Sequence, residues 1–322
     1  MKKKSKDFIC LIIVIIDFLI PLFVLFSAII LKQVRRGGLQ RFRISKKILL
    51  SVGVLPIRDH YYEPLFNPKY LRKPLSEERK LSGINWNVSE QLEVLNAFNF
   101  HNEFDGIPDN YLNDTTFHFN NGAFESGDAE YWYNIIRLKK PKKIIEIGSG
   151  NSTKMARLAI QANQKVDTTY LCEHICIEPY EMPWLEKIGV NVIRQKVEDI
   201  DISFFKKLGD NDILFIDSSH IIRPQGDVLF EYLELLPTLN SGVIIHIHDI
   251  FSPRDYPKSW ITNNIRLWNE QYLLEAFLTS NSDWNIIGAL NFLCHNYFDL
   301  LQEKCPRLTI SREPGSFYIV RK

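Results

Sequence analysis

Two pairs of polar residues follow apolar runs in the second half of the chain, and their types could do chemistry. Asp217 and His220 follow the letters ILFI, and His248 and Asp249 follow GVIIHI. Carboxylates at neighbouring strand ends suit Mg²⁺, whereas histidine ligands shift the preference towards Mn²⁺, Fe²⁺ or Zn²⁺. One hypothesis is therefore a Mg²⁺ or Mn²⁺ site at Asp217, His248 and Asp249. The other is metal-free catalysis by His220 or His248 as a general base, with Asp217 beside it, because an ordinary histidine pKa is about 6.5.

A glycine-rich turn interrupts another apolar run, and helical spacing resumes after it. The turn reads EIGSGNST and spans residues 146–153. A dinucleotide-binding turn requires a third small residue where this chain has Thr153. Glu146, two positions before the first glycine, would be a poor neighbour for a pyrophosphate but a suitable one for a cation. The turn therefore favours S-adenosylmethionine, which carries a sulfonium and no phosphate, over NAD.

These polar residues need a scaffold that brings strand ends together. From about Gly127 onwards, apolar strands alternate with helical stretches. The strands are predicted at 143–147, 170–177, 191–194, 213–216, 242–247, 284–292 and 316–320. The helices are predicted at 128–138, 152–163, 202–208, 226–236 and 264–280. This pattern predicts a Rossmann-like, doubly wound, mostly parallel seven-stranded sheet, in which ligands bind at the carboxyl ends of the strands.

The residues of the turn resemble motif I of the class I S-adenosylmethionine-dependent methyltransferases, E/D-x-G-x-G. The resemblance continues at Glu178 after the second strand, at 195–199 after the third, and in a last strand, GSFYIVRK. It covers roughly residues 126–322 and implies that Glu178 binds the ribose hydroxyls. The residues that the resemblance assigns to the cofactor are Glu146, Gly148, Ser149, Gly150, Ser152, Glu178, Glu198 and Asp217. The interval from Gly148 to Glu178 is longer than usual, which implies an extended first crossover.

The layout after the fourth and fifth strands resembles the catechol-type O-methyltransferase branch. In that branch an acid and an acid–amide pair hold a metal ion, and a lysine base lies three residues after the first acid. Here position 220 is histidine, and the pair is His248-Asp249. The resemblance implies methylation of a hydroxyl. The loop 249–260 is predicted to line the substrate site with Asp255, Tyr256 and Trp260.

The chain begins with an apolar stretch at residues 8–31, interrupted by Asp17 and Pro21. As a helix this stretch would extend about 36 Å, enough to cross a hydrocarbon core of about 30 Å. It predicts a single transmembrane anchor over residues 1–31. More lysine and arginine follow the stretch than precede it, which favours a cytoplasmic catalytic domain. Residues 32–125 are predicted as a basic juxtamembrane linker and an irregular cap, and 126–322 as the methyltransferase domain.

Composition narrows the classes of protein function that remain. The net charge of +1 over 322 residues gives no electrostatic basis for nucleic-acid binding. The five cysteines include no CxxC pair, which is typical of free thiols rather than a zinc site or a disulfide framework. No pattern predicts an oligomeric state.

The favoured hypothesis is a membrane-anchored methyltransferase that acts on a hydroxyl of a saccharide, a lipid-linked glycan or another polar small molecule. Two alternatives stay open. One is an NAD-dependent oxidoreductase or epimerase of Rossmann type, against which Glu146 and Thr153 count. The other is a membrane-tethered scaffold that keeps the fold without activity.

Overall fold

The computed structural model describes residues 2–180 and 182–322. The chain divides into two compact units, one ending at Leu71 and the other beginning at Arg72. The first contains the apolar N-terminal stretch, and the second contains the sheet. Residues 72–125, the larger part of the predicted linker and cap 32–125, thus belong to the same compact unit as the sheet.

The N-terminal unit has three helices: α1 (Lys2–Leu19), α2 (Pro21–Gly37) and α3 (Arg43–Val52). The continuous helix predicted over residues 8–31 is wrong, because Ile9–Leu19 and Pro21–Gly37 are bent by 62° relative to each other. Proline lacks an amide hydrogen and its ring clashes with the preceding turn, so Pro21 begins a new helix. Neither helix alone is long and apolar enough to cross a bilayer; the bent pair together meets that requirement by length and composition.

The second unit is built on a seven-stranded sheet with the order β3-β2-β1-β4-β5-β7-β6. The strands are β1 (Lys143–Ile147), β2 (Glu173–Ile177), β3 (Asn191–Ile193), β4 (Ile213–Ile216), β5 (Ile244–Ile247), β6 (Trp284–Ala289) and β7 (Phe317–Arg321). The first five strands pair in parallel, and β7 lies antiparallel between β5 and β6. The predicted doubly wound, mostly parallel seven-stranded sheet is confirmed.

Both faces of the sheet are covered, which explains why its strands are apolar throughout. Successive side chains of a strand point to opposite faces. In β1, Ile144 joins one buried cluster, whereas Ile145 and Ile147 join the other. In β4, Phe215 joins the first cluster and Leu214 the second. A strand buried on both faces needs no polar alternation.

The helices of this unit follow the predicted pattern with local changes. The α-helices are α4 (Val88–Asn96), α5 (Asp128–Lys139), α6 (Asn151–Val166), α7 (Asp227–Leu229), α8 (Lys258–Thr262), α9 (Glu270–Leu278), α10 (Leu290–Asn296) and α11 (Phe298–Lys304). The short 3₁₀-helices of the chain are Pro68–Tyr70, His101–Phe104, Leu185–Lys187, Val197–Asp199, Ile202–Lys207 and Leu236–Thr238. The helix predicted at 226–236 is not uniform, because α7 continues as a π-helix over Phe230–Leu235. The helix predicted at 264–280 is shorter, since residues 263–269 form an irregular connection before α9.

The segment 72–125 contributes aromatic side chains to the core beneath the sheet. Phe98, Phe104 and Phe124 are buried in the same cluster as Ile144. The ring of Phe98 meets the ring of Tyr131, on α5, edge to face with centroids 4.8 Å apart. The segment is irregular as predicted, but it covers one face of the sheet and is needed to bury that face.

We predict that Phe98→Ala lowers the free energy of unfolding by about 3–5 kcal/mol, because the truncation leaves a cavity in this core. Leu112→Ala, in the same segment but with 65% of Leu112 exposed, should change stability by less than about 0.5 kcal/mol. Urea unfolding of both variants measures the difference. Equal effects of the two substitutions would contradict the role assigned to the segment.

Candidate active site

A cavity of about 530 Å³ opens at the carboxyl ends of β1, β2 and β4. This is the edge at which open parallel sheets bind ligands, and the volume is typical of a small-molecule site. The residues that line it are Ile147, Gly148, Ile177, Glu178, Pro179, Tyr180, Lys196, Val197, Glu198, Asp217, Ser218, Ser219, Arg223 and Asp227. Of the predicted cofactor residues, Gly148, Glu178, Glu198 and Asp217 therefore lie on the cavity wall.

Gly148 is required by a close approach between two strand ends. Its φ is +78°, and a Cβ atom there would lie 2.0 Å from the carbonyl oxygen of Asp217. The two chains are held together because the amide of Asp217 donates to the carbonyl of Ile147 at 2.9 Å. Gly150 differs, since its φ of −175° is extended and a Cβ there meets nothing within 4 Å. Only the first glycine of the turn is sterically indispensable.

Glu146 has a different place from the one that the sequence suggested. Its side chain is fully buried and accepts hydrogen bonds from the hydroxyls of Thr153 (2.6 Å) and Ser152 (3.3 Å). Nε2 of His174 lies 2.9 Å from its other oxygen. Because strand side chains alternate between faces, Glu146 points beneath the turn and does not line the cavity. Glu146 therefore positions the turn, with Thr153 as its nearer hydroxyl partner, and its predicted contact with a bound cofactor stays a prediction.

Glu178 lies across the cavity from the glycine turn and contacts it directly. One carboxylate oxygen accepts a hydrogen bond from the amide of Ser149 at 3.3 Å, and the other accepts from the amide of Tyr180 at 3.1 Å. The long interval before Glu178 results from the sixteen-residue α6 and the connection that follows it. Ser149 thus reaches the site through its backbone, whereas Gly150 and Ser152 are not on the cavity wall.

Four side chains converge next to the cavity, and we call them the acid–histidine cluster: Asp217, His220, His248 and Asp249. Nε2 of His220 lies 3.2 Å from Asp217 and 3.6 Å from Asp249. Nδ1 of His248 lies 3.5 Å from Asp217 and 3.6 Å from Asp249. The sheet brings these four predicted residues together because β4 and β5 are neighbours. His246, inside β5, is buried against Tyr318 instead, as its position in the strand predicts.

Each histidine of the cluster has a second carboxylate behind it. Nδ1 of His220 lies 2.7 Å from Glu270, which is fully buried at the start of α9 and also accepts a hydrogen bond from the Tyr232 hydroxyl. Nε2 of His248 lies 3.9 Å from Asp128, at the start of α5. In each ring the other nitrogen faces Asp217 and Asp249. Glu270 is within hydrogen-bond distance and fixes the orientation of the His220 ring, whereas Asp128 acts on His248 through its charge.

The acids and histidines of the cluster shift one another's pKa values. Burial lowers the pKa of His248, but Asp249 and Asp217 outweigh this effect and raise it to about 10. The pKa of His220 is raised in the same way. Its contacts with Asp217 and Glu270 overcome burial and hold this pKa well above the ordinary value. Burial opposes ionisation of Asp217, yet the two histidines hold its pKa below the ordinary range. In the absence of another cation, both histidines are therefore protonated at neutral pH.

Two residues of the cluster have strained backbones. His220 and Asp249 both have φ of 59°, in the left-handed region that side-chain-bearing residues rarely occupy. The carbonyl of His220 is fixed by the amides of Asn269 and Glu270. Asp249 is confined by Gly315, where a Cβ would lie 3.2 Å from the Asp249 Cα. Strain that is held in place by its surroundings is typical of functional sites.

An aromatic wall borders the cluster. The ring of Trp268 lies 4.2 Å from that of His220. The guanidinium of Arg266 lies 4.2 Å from the ring of Trp260 and 4.2 Å from that of Trp268. Of the other two residues predicted to line the substrate site, Tyr256 is buried, and Asp255 pairs with Arg79 at 3.3 Å. Only Trp260 of the three belongs to this wall.

The cluster fits a divalent metal ion. Donor atoms of Asp217, His248 and Asp249 all lie within 4.8 Å of one another. Nδ1 of His248 is buried and makes no hydrogen bond to any residue that the structure describes. An imidazole nitrogen with no hydrogen-bond partner, facing two carboxylates, is suited to ligate Mn²⁺ or a similar ion.

Sequence reasoning missed the residues that surround the cluster, namely Glu270, Asp128, Trp268 and Arg266. Glu270 and Asp128 occupy first turns of helices, where acidic residues are common for reasons unrelated to catalysis. Trp268 and Arg266 lie in the irregular connection before α9. No local pattern distinguishes them, because their partners are far away in the sequence.

The chain is similar to known proteins over part of its sequence and, weakly, in its fold. A family described as "Methyltransferase domain" matches residues 145–250, from β1 to the end of β5. An uncharacterised protein of Archaeoglobus fulgidus is 30% identical over 177 residues, which are 51% of this chain and 78% of that protein. The plantazolicin methyltransferase BpumL, solved in complex with SAH, superposes weakly, with a TM-score of 0.34 and 16% identity over 61% of this chain and 82% of that chain. Its structure with a pentazolic desmethylPZN analog and SAH gives the same TM-score at 15% identity, over 60% of this chain and 82% of that chain.

We predict that Gly148→Ala lowers the free energy of unfolding by about 1–3 kcal/mol through backbone strain, with a further loss from the clash against Asp217. Gly150→Ala is the matched control, and its effect should stay below about 0.5 kcal/mol because the added methyl meets open space. Urea unfolding compares the two. Similar losses in both variants would contradict the close approach of β1 and β4.

Proposed function

The chain belongs to the class I S-adenosylmethionine-dependent methyltransferases, and from that membership we propose that it methylates a hydroxyl group of a saccharide or another polar acceptor. The observation that carries this proposal is the position of Asp217. It lies on the wall of the cofactor cavity and is also a member of the acid–histidine cluster. A donor in the cavity and an acceptor at the cluster would therefore meet at one carboxylate.

The residues of the cavity bind and orient the donor. S-adenosylmethionine, when bound, supplies an electrophilic methyl group on its sulfonium. Glu178 accepts hydrogen bonds from the ribose hydroxyls, and its contact with the Ser149 amide fixes its carboxylate for this purpose. Gly148 lets the turn pass close to the backbone of Asp217 beside the donor cavity, where a side chain would clash with the Asp217 carbonyl. Glu198, on the short helix after β3, borders the adenine end.

The cluster activates the acceptor. Asp217, His248 and Asp249 would hold a divalent ion, Mg²⁺ or Mn²⁺, and such an ion lowers the pKa of a hydroxyl bound to it. His220, oriented by Glu270, points Nε2 at the same two carboxylates. It can take up the hydroxyl proton once its own proton has been released. This arrangement is similar to that of the catechol-type branch, with histidine in place of the lysine.

A divalent ion would change the protonation of the two histidines. Both histidines are protonated when only the carboxylates surround them, because their pKa values are raised. A protonated imidazole cannot act as a base. A divalent cation compensates the same carboxylates, so that His248 can ligate and His220 can accept a proton.

The aromatic wall suits a ring-shaped acceptor. Trp268 packs against His220, and Trp260 meets Trp268 at 5.1 Å in an edge-to-face arrangement. Flat indoles beside a base are suited to stacking against the apolar face of a sugar ring. The guanidinium of Arg266 offers hydrogen-bond donors to the acceptor's polar groups.

The N-terminal unit would attach the enzyme to a membrane. The bent pair of α1 and α2 has the length and apolar composition for membrane insertion. Basic residues are more numerous after the apolar stretch 8–31 than before it, which favours a cytoplasmic catalytic unit. A membrane-associated acceptor, such as a lipid-linked glycan, fits this placement.

We predict that Glu178→Ala weakens the binding of S-adenosylhomocysteine about 10- to 100-fold, because charge-assisted hydrogen bonds to the ribose are lost. Isothermal titration of the full chain measures the affinity. Glu173→Ala, at the opposite end of the same strand, is the control and should bind normally. Normal affinity in both variants would contradict the assignment of the ribose site.

We also predict that removal of divalent ions with EDTA abolishes methyl transfer and that Mn²⁺ restores it. The double substitution Asp217→Asn with Asp249→Asn should prevent Mn²⁺ binding, measured directly by titration of the metal. Transfer of labelled methyl to candidate glycans gives the activity readout. Full turnover in EDTA would exclude the metal-assisted route.

A further inference from the structure

Helix α3 presents a line of apolar side chains to the outside. No residue of this ten-residue helix is buried. Ile44, Ile48 and Val52 recur every fourth residue and so lie along one side of the helix. They are 77%, 57% and 70% exposed. The apolar surface continues beyond the helix in Val54 and Leu55, which are 50% and 44% exposed, and a continuous surface of this kind marks an interaction site.

The segment that contains α3 is basic. Between Asp17 and Asp59 the sequence contains no acidic residue. Its basic residues are Lys32, Arg35, Arg36, Arg41, Arg43, Lys46, Lys47 and Arg58. Arg35 and Arg58 both form ion pairs with Glu63. Among the residues that the structure describes, the cations from Arg36 to Lys47 have no acidic partner within ion-pair distance.

The charges and the apolar line lie on different sides of α3. At about 100° per residue, Arg43 and Lys46 lie on the side of the helix opposite to the line through Ile48, and Lys47 lies about 100° from that line. Leu50 also lies on the basic side, and Leu49 lies about 100° from the line on the other flank. A short helix with an apolar side and a lysine- and arginine-rich side is the sequence pattern of segments that lie in a membrane interface.

We propose that α3 lies flat in the interface of a membrane that contains anionic lipids. The apolar line enters the acyl boundary, and the long basic side chains extend to the lipid phosphates. The inference rests on the membrane attachment proposed above. It is supported by chain continuity, because only residues 38–42 separate α3 from α2, the second half of the bent pair.

Other occupants of this surface fit less well. A second copy of the chain would bring basic residues against basic residues, since the segment has no acid to pair with them. A nucleic acid would neutralise the charge but would leave Ile44, Ile48 and Val52 in water. An anionic lipid surface satisfies both sides of the helix.

The test uses the full chain reconstituted into nanodiscs of phosphatidylcholine alone or of phosphatidylcholine and phosphatidylglycerol in equal parts. Backbone hydrogen exchange of residues 43–52 is followed by mass spectrometry. We expect exchange to be severalfold slower in the anionic discs. The difference should shrink at high salt, which screens the attraction between exposed charges.

Matched variants separate charge from apolar contact. Lys46→Gln with Lys47→Gln should remove the difference between the two lipids, and Ile44→Ser with Ile48→Ser should speed exchange in both. Lys206→Gln with Lys207→Gln removes the same charge from the methyltransferase unit and should leave α3 unchanged. All these side chains are exposed, so the fold is preserved, and S-adenosylhomocysteine binding verifies this.

Equal exchange in neutral and anionic discs, or no effect of the Lys46 and Lys47 substitutions, would overturn the proposal. Protection that depends on two chains sharing one disc would assign the surface to a second copy and overturn it as well. A chain that neither type of disc retains would contradict the membrane attachment itself, whatever its affinity for S-adenosylhomocysteine. If the cofactor assignment is wrong, the chain does not bind S-adenosylhomocysteine although α3 is still protected from hydrogen exchange.

Discussion

The contact between the ends of β1 and β4 is the constraint on which the site depends. The chain after β1 passes so close to the carbonyl of Asp217 that only glycine fits at position 148. This close approach places the glycine turn directly beside Asp217, the first acid of the cluster. Glu146, bonded to Thr153 from below, fixes the turn relative to α6. The cavity and the acid–histidine cluster are therefore adjacent because two parallel strands pair in register.

The acid–histidine cluster brings two carboxylates together with two buried histidines. Buried ions lose hydration, and their mutual attraction repays this loss only when the geometry is good, so buried ion pairs are weak stabilisers. Here several contacts exceed 3.5 Å, and two cluster residues have left-handed backbones. A set of charges that is strained and incompletely hydrogen-bonded is explained by function rather than by stability. Glu270 holds the His220 ring by a hydrogen bond and Asp128 lies 3.9 Å behind His248, so that one nitrogen of each ring is directed at the carboxylates.

The sequence was sufficient for the sheet because its strands are apolar on both sides and its polar residues fall at strand ends. The meeting of Asp217, His220, His248 and Asp249 follows from that rule alone. Glu146 was misplaced because its distance from the glycines in sequence says nothing about which face of β1 it occupies. Glu270 and Asp128 were missed because they reach the cluster from remote helices. The break at Pro21 was missed because average hydropathy does not register a lost backbone hydrogen bond.

A crystal structure of the chain with S-adenosylhomocysteine and Mn²⁺ tests the central claim most directly. We predict that the ribose hydroxyls bond to Glu178, that the sulfur faces Asp217, and that the ion is bound by Asp217, His248 and Asp249. S-adenosylhomocysteine bound with its ribose away from Glu178, or its sulfur directed away from the acid–histidine cluster, would contradict the account.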